Sequence, residues 1–487
     1  MKTKLILVID YGTSNVRVNA IDTANGDIKY SASKKYLVQD KKCGYAEVSV
    51  DHIWTYSQDC MRQVMDKIQG EEEAKAIAFS FFGDNLIPVD KNGNALNDCI
   101  LCTDPRGEKE SNYINDRISE TEMIDIIGDT YMLYKFGTKL LWVRNNMPEI
   151  KEATAHYDTQ QQYIFRKLGI TPANDYTMAA RKQLCELDTL SWSKRLLEVI
   201  GVTEEELGTD IVATSAVVGY VKNYGDVEFH TSLPVIAGGH DCDMALIGMG
   251  IIDETLDYVG DITGTFDHVG YLAKGKVNLA KNNPDSPLRS YHGPFDNTSV
   301  CLGAFPTAGA TLEWFMREVN EGSSQEDYQK YWKTIEFDGK GHVMMFPTMD
   351  LNRGRMEGLG VTTTKSDIFK AVIEALTFEN RRLIENCENT KVGVINRVRI
   401  GGGAANSSEW MQLRADISGK KIERMKNIQS SSLGGAVMAA VTIGLYDTVE
   451  DAIDKMVQVK DVFEPNEAVR AEYEVKYQYY LRKMGYL

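Results

Sequence analysis

The sequence predicts an α/β protein built twice over, with two related domains facing one another. The first observation is a repeated element. Residues 5–9 read as a strand, the turn Asp10-Tyr11-Gly12-Thr13-Ser14-Asn15 follows, and residues 16–22 alternate as a second strand. About 250 residues on, Tyr258-Val259-Gly260-Asp261-Ile262, the turn Thr263-Gly264-Thr265-Phe266-Asp267 and residues 268–272 repeat that order. The second observation is a pair of apolar runs that drop into glycines, Val235-Ile236-Ala237-Gly238-Gly239-His240-Asp241 and Val398-Arg399-Ile400-Gly401-Gly402-Gly403, each leading into a helix. Glycine lets the backbone turn where a side chain would block a ligand. The mouth of an open α/β sheet is where its ligands bind. Third, 487 residues of which 43% are apolar supply sizeable cores, and such a length suggests about two to three domains.

The formal net charge of −16 argues against a nucleic-acid partner, because such partners are met with basic faces. It gives no support to binding at an anionic membrane surface. Phosphate, if handled, falls to backbone N–H groups, a metal and a few local cations. The apolar run after Met1-Lys2-Thr3-Lys4 stops at Asp10, too short for a signal sequence, and no apolar stretch reaches transmembrane length. The expectation is a cytoplasmic protein with a small-molecule partner and neither nucleic acid nor membrane; if it assembles, a homodimer is expected. Eight cysteines spread over this length do not form a disulfide framework. Cys99-Ile100-Leu101-Cys102 has no second pair to complete a zinc site and reads as reduced thiols.

In chain order, residues 76–80 form a strand, and the turn Phe81-Phe82-Gly83-Asp84-Asn85 follows. Residues 86–89 return to a turn at Asp90-Lys91-Asn92-Gly93-Asn94, and residues 100–106 end in Asp104-Pro105-Arg106. Residues 137–144, 163–168 and a segment from Trp192 are helical. Beyond Asp241, the small and apolar residues 244–250 make a close-packed helix, and the domain boundary is set after it, giving domains 1–252 and 253–487. In the second half, Ile368, Val372, Ala375, Leu376, Glu379 and Leu383 trace one helical face with only Glu379 polar, and Ser366 is the expected cap. A later helix carries Trp410, Leu413 and Ile417 and ends at Gly419. Residues 433–440 make another tight helix. The charged tail, 450–455 and 464–483, reads as a solvated helical layer.

Asp241 is the candidate catalytic carboxylate; a helix-capping role explains the same position equally simply, so both stand at this point. The first hairpin offers hydroxyl and amide donors to a phosphate, and its second copy favours that reading over a plain polar tip. Asp10 carries the acid in the first copy and Thr263 stands at the matching place in the second, as expected if one turn handles metal and the other only phosphate oxygens. Other classes fit less well. As a dinucleotide fingerprint, Gly401-x-Gly403 lacks its third glycine, with Asn406 in that place. A haloacid-dehalogenase-type phosphatase at Asp10 needs a second Asp where Gly12 stands. His240, Asp241 and Asp243 as metal ligands lack a further His/Cys cluster.

Together these motifs resemble the FGGY family of carbohydrate kinases over essentially the whole chain. The resemblance rests on Asp10, Gly12, Thr13 and Arg17, and on Gly354-x-Met356-x-Gly358-Leu359, seven residues, then Asp367-Ile368-x-x-Ala371-Val372-Ile373-Glu374. It rests also on Gly401-Gly402-Gly403-Ala404-x-Asn406 with Trp410, Gln412, Ala415-Asp416 and Gly419, and on Ala308-Gly309-Ala310 with Glu313-Trp314. It implies two ribonuclease-H-like, actin-like ATPase domains with the catalytic cleft between them, and ATP-dependent phosphorylation of a sugar. By the same resemblance Asp241 is the general base, and Asp10 holds Mg²⁺ through water. Gly12, Thr13, Ser14 and Asn15 grip phosphate from one side and Gly264 and Thr265 from the other. Gly309, Gly402, Gly403 and Asn406 bind the rest of ATP. The chemistry agrees: phosphoryl transfer is mostly positioning and charge neutralisation, and one carboxylate must accept the hydroxyl proton. Arg17 is left open between a role at the turn and a salt-bridged strand residue.

On the substrate side the resemblance implies contacts from Gly83, Asp84, Asp104, Arg106, His240 and Asp241. Family members often have Ser-Gly-Gln-Met-His-Gly where this chain has Ser80-Phe81-Phe82-Gly83-Asp84-Asn85. The Met-His pair of xylulokinases is replaced by Gly83-Asp84, and the Arg-Glu of glycerol kinases is absent. Phe82-Gly83 and His240-Asp241 look more like fuculokinases and rhamnulokinases. The implied acceptor is a ketose, either a pentulose or a deoxyketohexose such as L-fuculose or L-rhamnulose. The alternatives are xylulose, a polyol, or a non-catalytic sugar sensor on the same fold. Asp104 and Arg106 either hydrogen-bond the sugar or pair with each other. Gln429 stands where many members have Glu.

Overall fold

The computed structural model describes residues 2–40, 44–130, 133–208, 210–264, 266–305, 308–347 and 354–487. Two seven-stranded mixed sheets organise it. The first contains β1 (Thr3–Tyr11), β2 (Asn15–Asp22), β3 (Ile28–Lys35), β4 (Glu72–Phe81), β5 (Val217–Tyr224), β6 (Val227–Ile236) and β7 (Gly239–His240). Its order is β5-β6-β4-β1-β2-β3, with β7 also on β4. The second contains β8 (Tyr258–Thr263), β9 (Asp267–Lys274), β10 (Leu288–His292), β11 (Thr298–Phe305), β12 (Arg397–Gly402), β13 (Lys421–Met425) and β14 (Val459–Phe463). Its order is β10-β11-β9-β8-β12-β13-β14. In each sheet the opening strand pairs antiparallel with its hairpin partner, β1 with β2 and β8 with β9. It then pairs parallel with a strand that returns from far along the chain, β1 with β4 and β8 with β12. The duplication read from two Gly-Thr turns therefore extends to the central strands of both sheets, while their edges differ.

Helices α1 (Val50–Met65), α2 (Phe136–Asn146), α3 (Gln160–Lys167), α4 (Asp241–Gly248) and α5 (Ala308–Trp314) surround or join the sheets. So do α6 (Lys365–Thr390), α7 (Ser408–Ser418), α8 (Ser430–Thr442) and α9 (Glu467–Met484). β1 is an uninterrupted apolar run because both its faces are covered. Leu5, Leu7, Ile9 and Tyr11 share a cluster with Ile53, Cys60 and Met61 of α1, while Ile6 and Val8 pack with Leu433, Ala436 and Val437 of α8. A helix from the last fifth of the chain thus completes the core of the first sheet. α4 and α8 cross at Gly248 and Gly434. A Cβ at Gly248 would run into the Ser430 carbonyl oxygen, and one at Gly434 into the Met244 carbonyl oxygen. Backbones this close tolerate only glycine.

Two expectations change. The cap of α6 is Thr364, in a reciprocal capping box with Asp367, and not Ser366. The tail is not simply a solvated layer: α9 buries Tyr473, Tyr477, Tyr480 and Leu481. Tyr480 stacks on Phe346 with ring centroids 5.6 Å apart. Its hydroxyl donates to Glu379 Oε1 at 2.8 Å, and Arg382 Nη2 donates to Glu379 Oε2 at 2.7 Å. That accounts for the one polar residue on the apolar face of α6.

Candidate active site

Strand register builds the site. Asp10 on β1 stands beside Ser80 on β4, and Ser80 stands beside Gly239 on β7. These parallel strands bring Asp10 and Gly239 into one row at their C-terminal ends, with Asp241 two residues beyond. The turn that delivers Asp241 requires its glycines. Gly238 has φ +66°, and a Cβ there would strike the Phe79 carbonyl oxygen; one at Gly239 would lie 2.6 Å from Thr177 Oγ1. Thr177 Oγ1 accepts from the His240 N–H at 2.8 Å and fixes the chain entering α4.

Asp241 and its neighbour Asp243 differ sharply. His240 occupies the cap position of α4, so Asp241 is the first helical residue rather than the cap. Its side chain is 38% exposed, and Oδ1 accepts from the Cys242 N–H at 2.7 Å. Asp243 is fully buried, and its Oδ2 accepts from Arg181 Nη2 at 3.1 Å. Burial pushes the Asp243 carboxyl up, but Arg181 beside it holds it below the ordinary carboxylate range. Arg181 in turn lies over the Tyr291 ring, 4.0 Å from its centroid. One carboxylate is locked in an ion pair and the other stands open.

Donor atoms of His240, Asp241 and Cys242 all lie within 4.8 Å of one another. Burial drives the Cys242 thiol well above its usual range, so it keeps its proton. An imidazole and a carboxylate from adjacent residues leave a metal shell incomplete. The seven described cysteines are free, and burial raises the Cys102 thiol to about 12.

Asp10 Oδ1 accepts from Ser431 Oγ of α8 at 3.2 Å. Burial raises the Asp10 carboxyl and the Asp241 charge adds to this, while Ser80 and Arg17 oppose it. Arg17 stands opposite Asp10 in the β1–β2 register. Asn19 Nδ2 donates to Gln429 Oε1 at 2.6 Å and to Ser432 Oγ at 2.9 Å, so Gln429 ties the first hairpin to α8. At the tip, the Gly12 N–H donates to the Asn15 carbonyl at 2.9 Å. Thr13 is half-buried and Ser14 exposed.

The second hairpin and the glycine loop after β12 are joined. Thr263 Oγ1 donates to the Gly401 carbonyl at 2.9 Å and accepts from the Ala404 N–H at 3.0 Å. Gly402 has φ +95°, and a Cβ there would strike the Thr263 carbonyl oxygen. A Cβ at Gly403 would meet nothing within 4 Å, and Asn406 Nδ2 donates to the Gly403 carbonyl at 3.1 Å. Gly264 is exposed at the hairpin tip; Thr265 lies outside the described residues. Gly309 is the second residue of α5, which packs against α6. Both legs of the hairpin are pinned by Arg414 of α7, which is fully buried and paired with Asp261 on β8 and with Asp267 on β9.

On the substrate side, a Cβ at Gly83 would lie 2.7 Å from His240 Nε2, so the 83–85 turn lies against the histidine that precedes Asp241. Asp84 sits in the left-handed region at φ +53°, and its Oδ1 is buried without a hydrogen-bond partner. Lys139 Nζ holds this turn by donating to the Asp84 carbonyl at 2.8 Å. Asp104 and Arg106 are mutually engaged. Arg106 Nε donates to Asp104 Oδ1 at 2.7 Å and Nη2 to Glu47 Oε1 at 2.7 Å, all buried. The Ala46 N–H donates to Asp104 Oδ2 at 2.6 Å. Both Asp104 oxygens are committed inside the protein.

Sequence reasoning missed Lys135, Lys139, Arg181 and Asp129 from the first half, and Tyr291 and His268 from the second. Asp129 accepts from Arg289 Nε at 2.8 Å, from Tyr291 Oη at 2.7 Å and from Gln183 Nε2 at 2.8 Å. His268 feels the Asp241 charge, yet burial brings its imidazole down to about 4, so it is neutral near pH 7. Cations inside apolar helices gave a signal only as anomalies, and no spacing links residue 129 to residue 289.

Two sheets with the same central strand pairing, each presenting a glycine turn, and an open carboxylate at the end of the first define a duplicated two-domain α/β protein. Residues 5–248 match the N-terminal domain, and residues 275–443 the C-terminal domain, of the FGGY family of carbohydrate kinases. The chain belongs to that family, whose members transfer phosphate to an alcohol acceptor. A xylulose kinase of Staphylococcus epidermidis is 26% identical over 99% of this chain and 96% of its own. Among solved structures, a ligand-bound xylulose kinase from Lactobacillus acidophilus matches with TM-score 0.85 and 23% identity, over 99% of this chain and 98% of its own. A gluconate kinase from the same organism matches with TM-score 0.85 and 24% identity, over 100% and 98%.

Proposed function

We propose that this kinase phosphorylates a hydroxyl of a free ketose, with Asp241 as general base, the sugar held mainly by residues 1–252 and ATP mainly by 253–487. The observation that carries this reading is the open Asp241 carboxylate, one strand row from Asp10, beside a buried Asp243 that is paired with Arg181. A sugar hydroxyl at Asp241 gives up its proton to the carboxylate as its oxygen attacks phosphorus, while the ADP oxygen leaves. Backbone at Gly12, Gly264, Gly402 and Gly403, with Thr13, Ser14, Asn15, Thr265, Gly309 and Asn406, would hold the nucleotide; at 402 only glycine fits. Asp10, half-buried, accepting from Ser431 Oγ and near the Asp241 charge, fits a water-mediated Mg²⁺ site. Mg²⁺ there would supply positive charge against the phosphate oxygens. For the acceptor, the ketose reading is kept. The similarity to a xylulose kinase supports a pentulose over a deoxyketohexose, while Gly83-Asp84 supports the reverse.

The test is ADP release from Mg-ATP against L-fuculose, L-rhamnulose, both xyluloses, both ribuloses, glycerol and erythritol. One strong acceptor is expected. Asp241→Asn should lower its turnover by about 10² to 10⁴ with ATP binding retained. Loss of ATP binding in the same variant would mean the base is misassigned.

A further inference from the structure

The wall of the acceptor side holds a charged pair that the general base does not explain. Lys135 begins the turn into α2, and only 12% of its side chain is exposed. Among the described residues its ammonium makes no hydrogen bond. Its nearest carboxylates, Asp84 Oδ2 at 3.9 Å and Asp129 Oδ2 at 3.8 Å, lie beyond hydrogen-bond reach. Asp84 mirrors this, with Oδ1 buried and unpartnered. A buried ammonium beside a part-buried carboxylate, one of whose oxygens is buried and unfilled, is costly unless a third group completes them.

The backbone points to function as well. Asp84 at φ +53° and Gln183 at φ +51° are both non-glycine residues held left-handed, and Gln183 donates to the Asp129 that flanks Lys135. Two strained residues beside one charged pair mark a place the fold holds at a cost. The place is also near the chemistry. Gly83, next to Asp84, lies against the His240 ring, and His240 Nδ1 is 3.4 Å from Asp241 Oδ1.

Resting on the kinase reading above, we propose that Asp84 and Lys135 together read one hydroxyl of a neutral acceptor, and that Lys135 is a specificity-determining residue. A hydroxyl both donates and accepts, so it fits between the two: it donates to the Asp84 carboxylate and accepts from the Lys135 ammonium. An acceptor carboxylate at that point would gain Lys135 but meet the like charge of Asp84, the Asp129 charge being already paired with Arg289 Nε at 2.8 Å. The pair therefore selects neutral sugars and polyols over sugar acids, whatever the similarity in fold to a gluconate kinase.

The experiment has two arms. Without nucleotide, the melting temperature of the full chain is measured with L-fuculose, L-rhamnulose, D-xylulose, glycerol and D-gluconate. With Mg-ATP, KM and kcat are measured for each acceptor in wild type, Lys135→Met, Lys135→Gln and Lys135→Arg. For the best neutral acceptor, Lys135→Met and Lys135→Gln should raise KM tenfold or more and abolish the ligand-induced melting shift. The KM for ATP should stay within about twofold and kcat within about threefold; Lys135→Arg should recover part of the loss. D-Gluconate should give neither shift nor turnover. An unchanged acceptor KM in both neutral variants, or D-gluconate as the best substrate, overturns the proposal. A sugar that raises the melting temperature but is not phosphorylated by the wild type sinks the kinase reading alone, and loss of that shift in Lys135→Met then still supports the pair. No shift and no turnover with any acceptor sinks both.

Discussion

Replacing Asp243 with Asn strips the buried Arg181 guanidinium of its one ion-pair partner, 3.1 Å away among the described residues. Breaking a buried pair from one side costs about 3–5 kcal/mol, because the remaining charge stays desolvated. Asp243→Asn is therefore expected to lower stability by about that much in chemical denaturation. Asp241→Asn, at a 38% exposed side chain, should stay within about 0.5 kcal/mol of wild type while losing turnover. The opposite pattern would exchange the roles of the two carboxylates. This division was half legible in the sequence. A carboxylate after two glycines announces itself, since the glycines answer a local backbone need at Gly238 and Gly239. That Asp243 is committed was not legible, because its partner is 62 residues away and the pairing is made only by folding.

At the scale of elements, the second Gly-Thr hairpin depends on a buried triad. Arg414 of α7 serves both Asp261 and Asp267, two carboxylates on one guanidinium. Burial first, and Asp267 second, raise the Asp261 carboxyl to about 7, with Arg414 opposing. The folded state thus holds a proton that an unfolded chain releases near pH 4. The stability this contributes is full below about pH 4 and is lost as pH rises through about 7. Asp261→Asn imitates the protonated form, so its melting temperature should gain on wild type steadily between pH 4 and pH 8. A difference independent of pH would show that Asp261 stays ionised throughout. The hairpin and the helix after β12 were legible because strand alternation and a glycine stop are local patterns. Arg414 was hidden inside an apolar helical face, and the α6 cap slipped two residues from Ser366 to Thr364 because both are good caps and only Asp367 decides between them. The burial of α9 was missed for a related reason: its tyrosines pack their rings inward while their hydroxyls reach Glu374, Glu385 and Glu379.

For the whole molecule, two of the connections between the halves bear on how they meet. One is the glycine crossing of α4 and α8 at Gly248 and Gly434, which lets the two backbones touch. The other lies on the acceptor side, where β10 of the second sheet sends Arg289 and Tyr291 to Asp129, 160 and 162 residues earlier in the chain. The duplication itself was legible from two turns; this clamp was not, since nothing local distinguishes Asp129 from any other loop acid. A kinase that closes around its acceptor excludes water, the competing nucleophile. If the clamp contributes to closure, weakening it from the second-sheet side should spare the acceptor contacts but admit water. Arg289→Gln removes the ion pair to Asp129 while leaving Asp84, Lys135 and Asp241 in place. Its expected signature is an acceptor-independent ATP hydrolysis raised several-fold relative to sugar phosphorylation, with the KM for ATP little changed. Small-angle scattering with acceptor and a non-hydrolysable ATP analogue should show less compaction than in wild type. Equal compaction and an unchanged hydrolysis ratio would confine Asp129 to holding the fold.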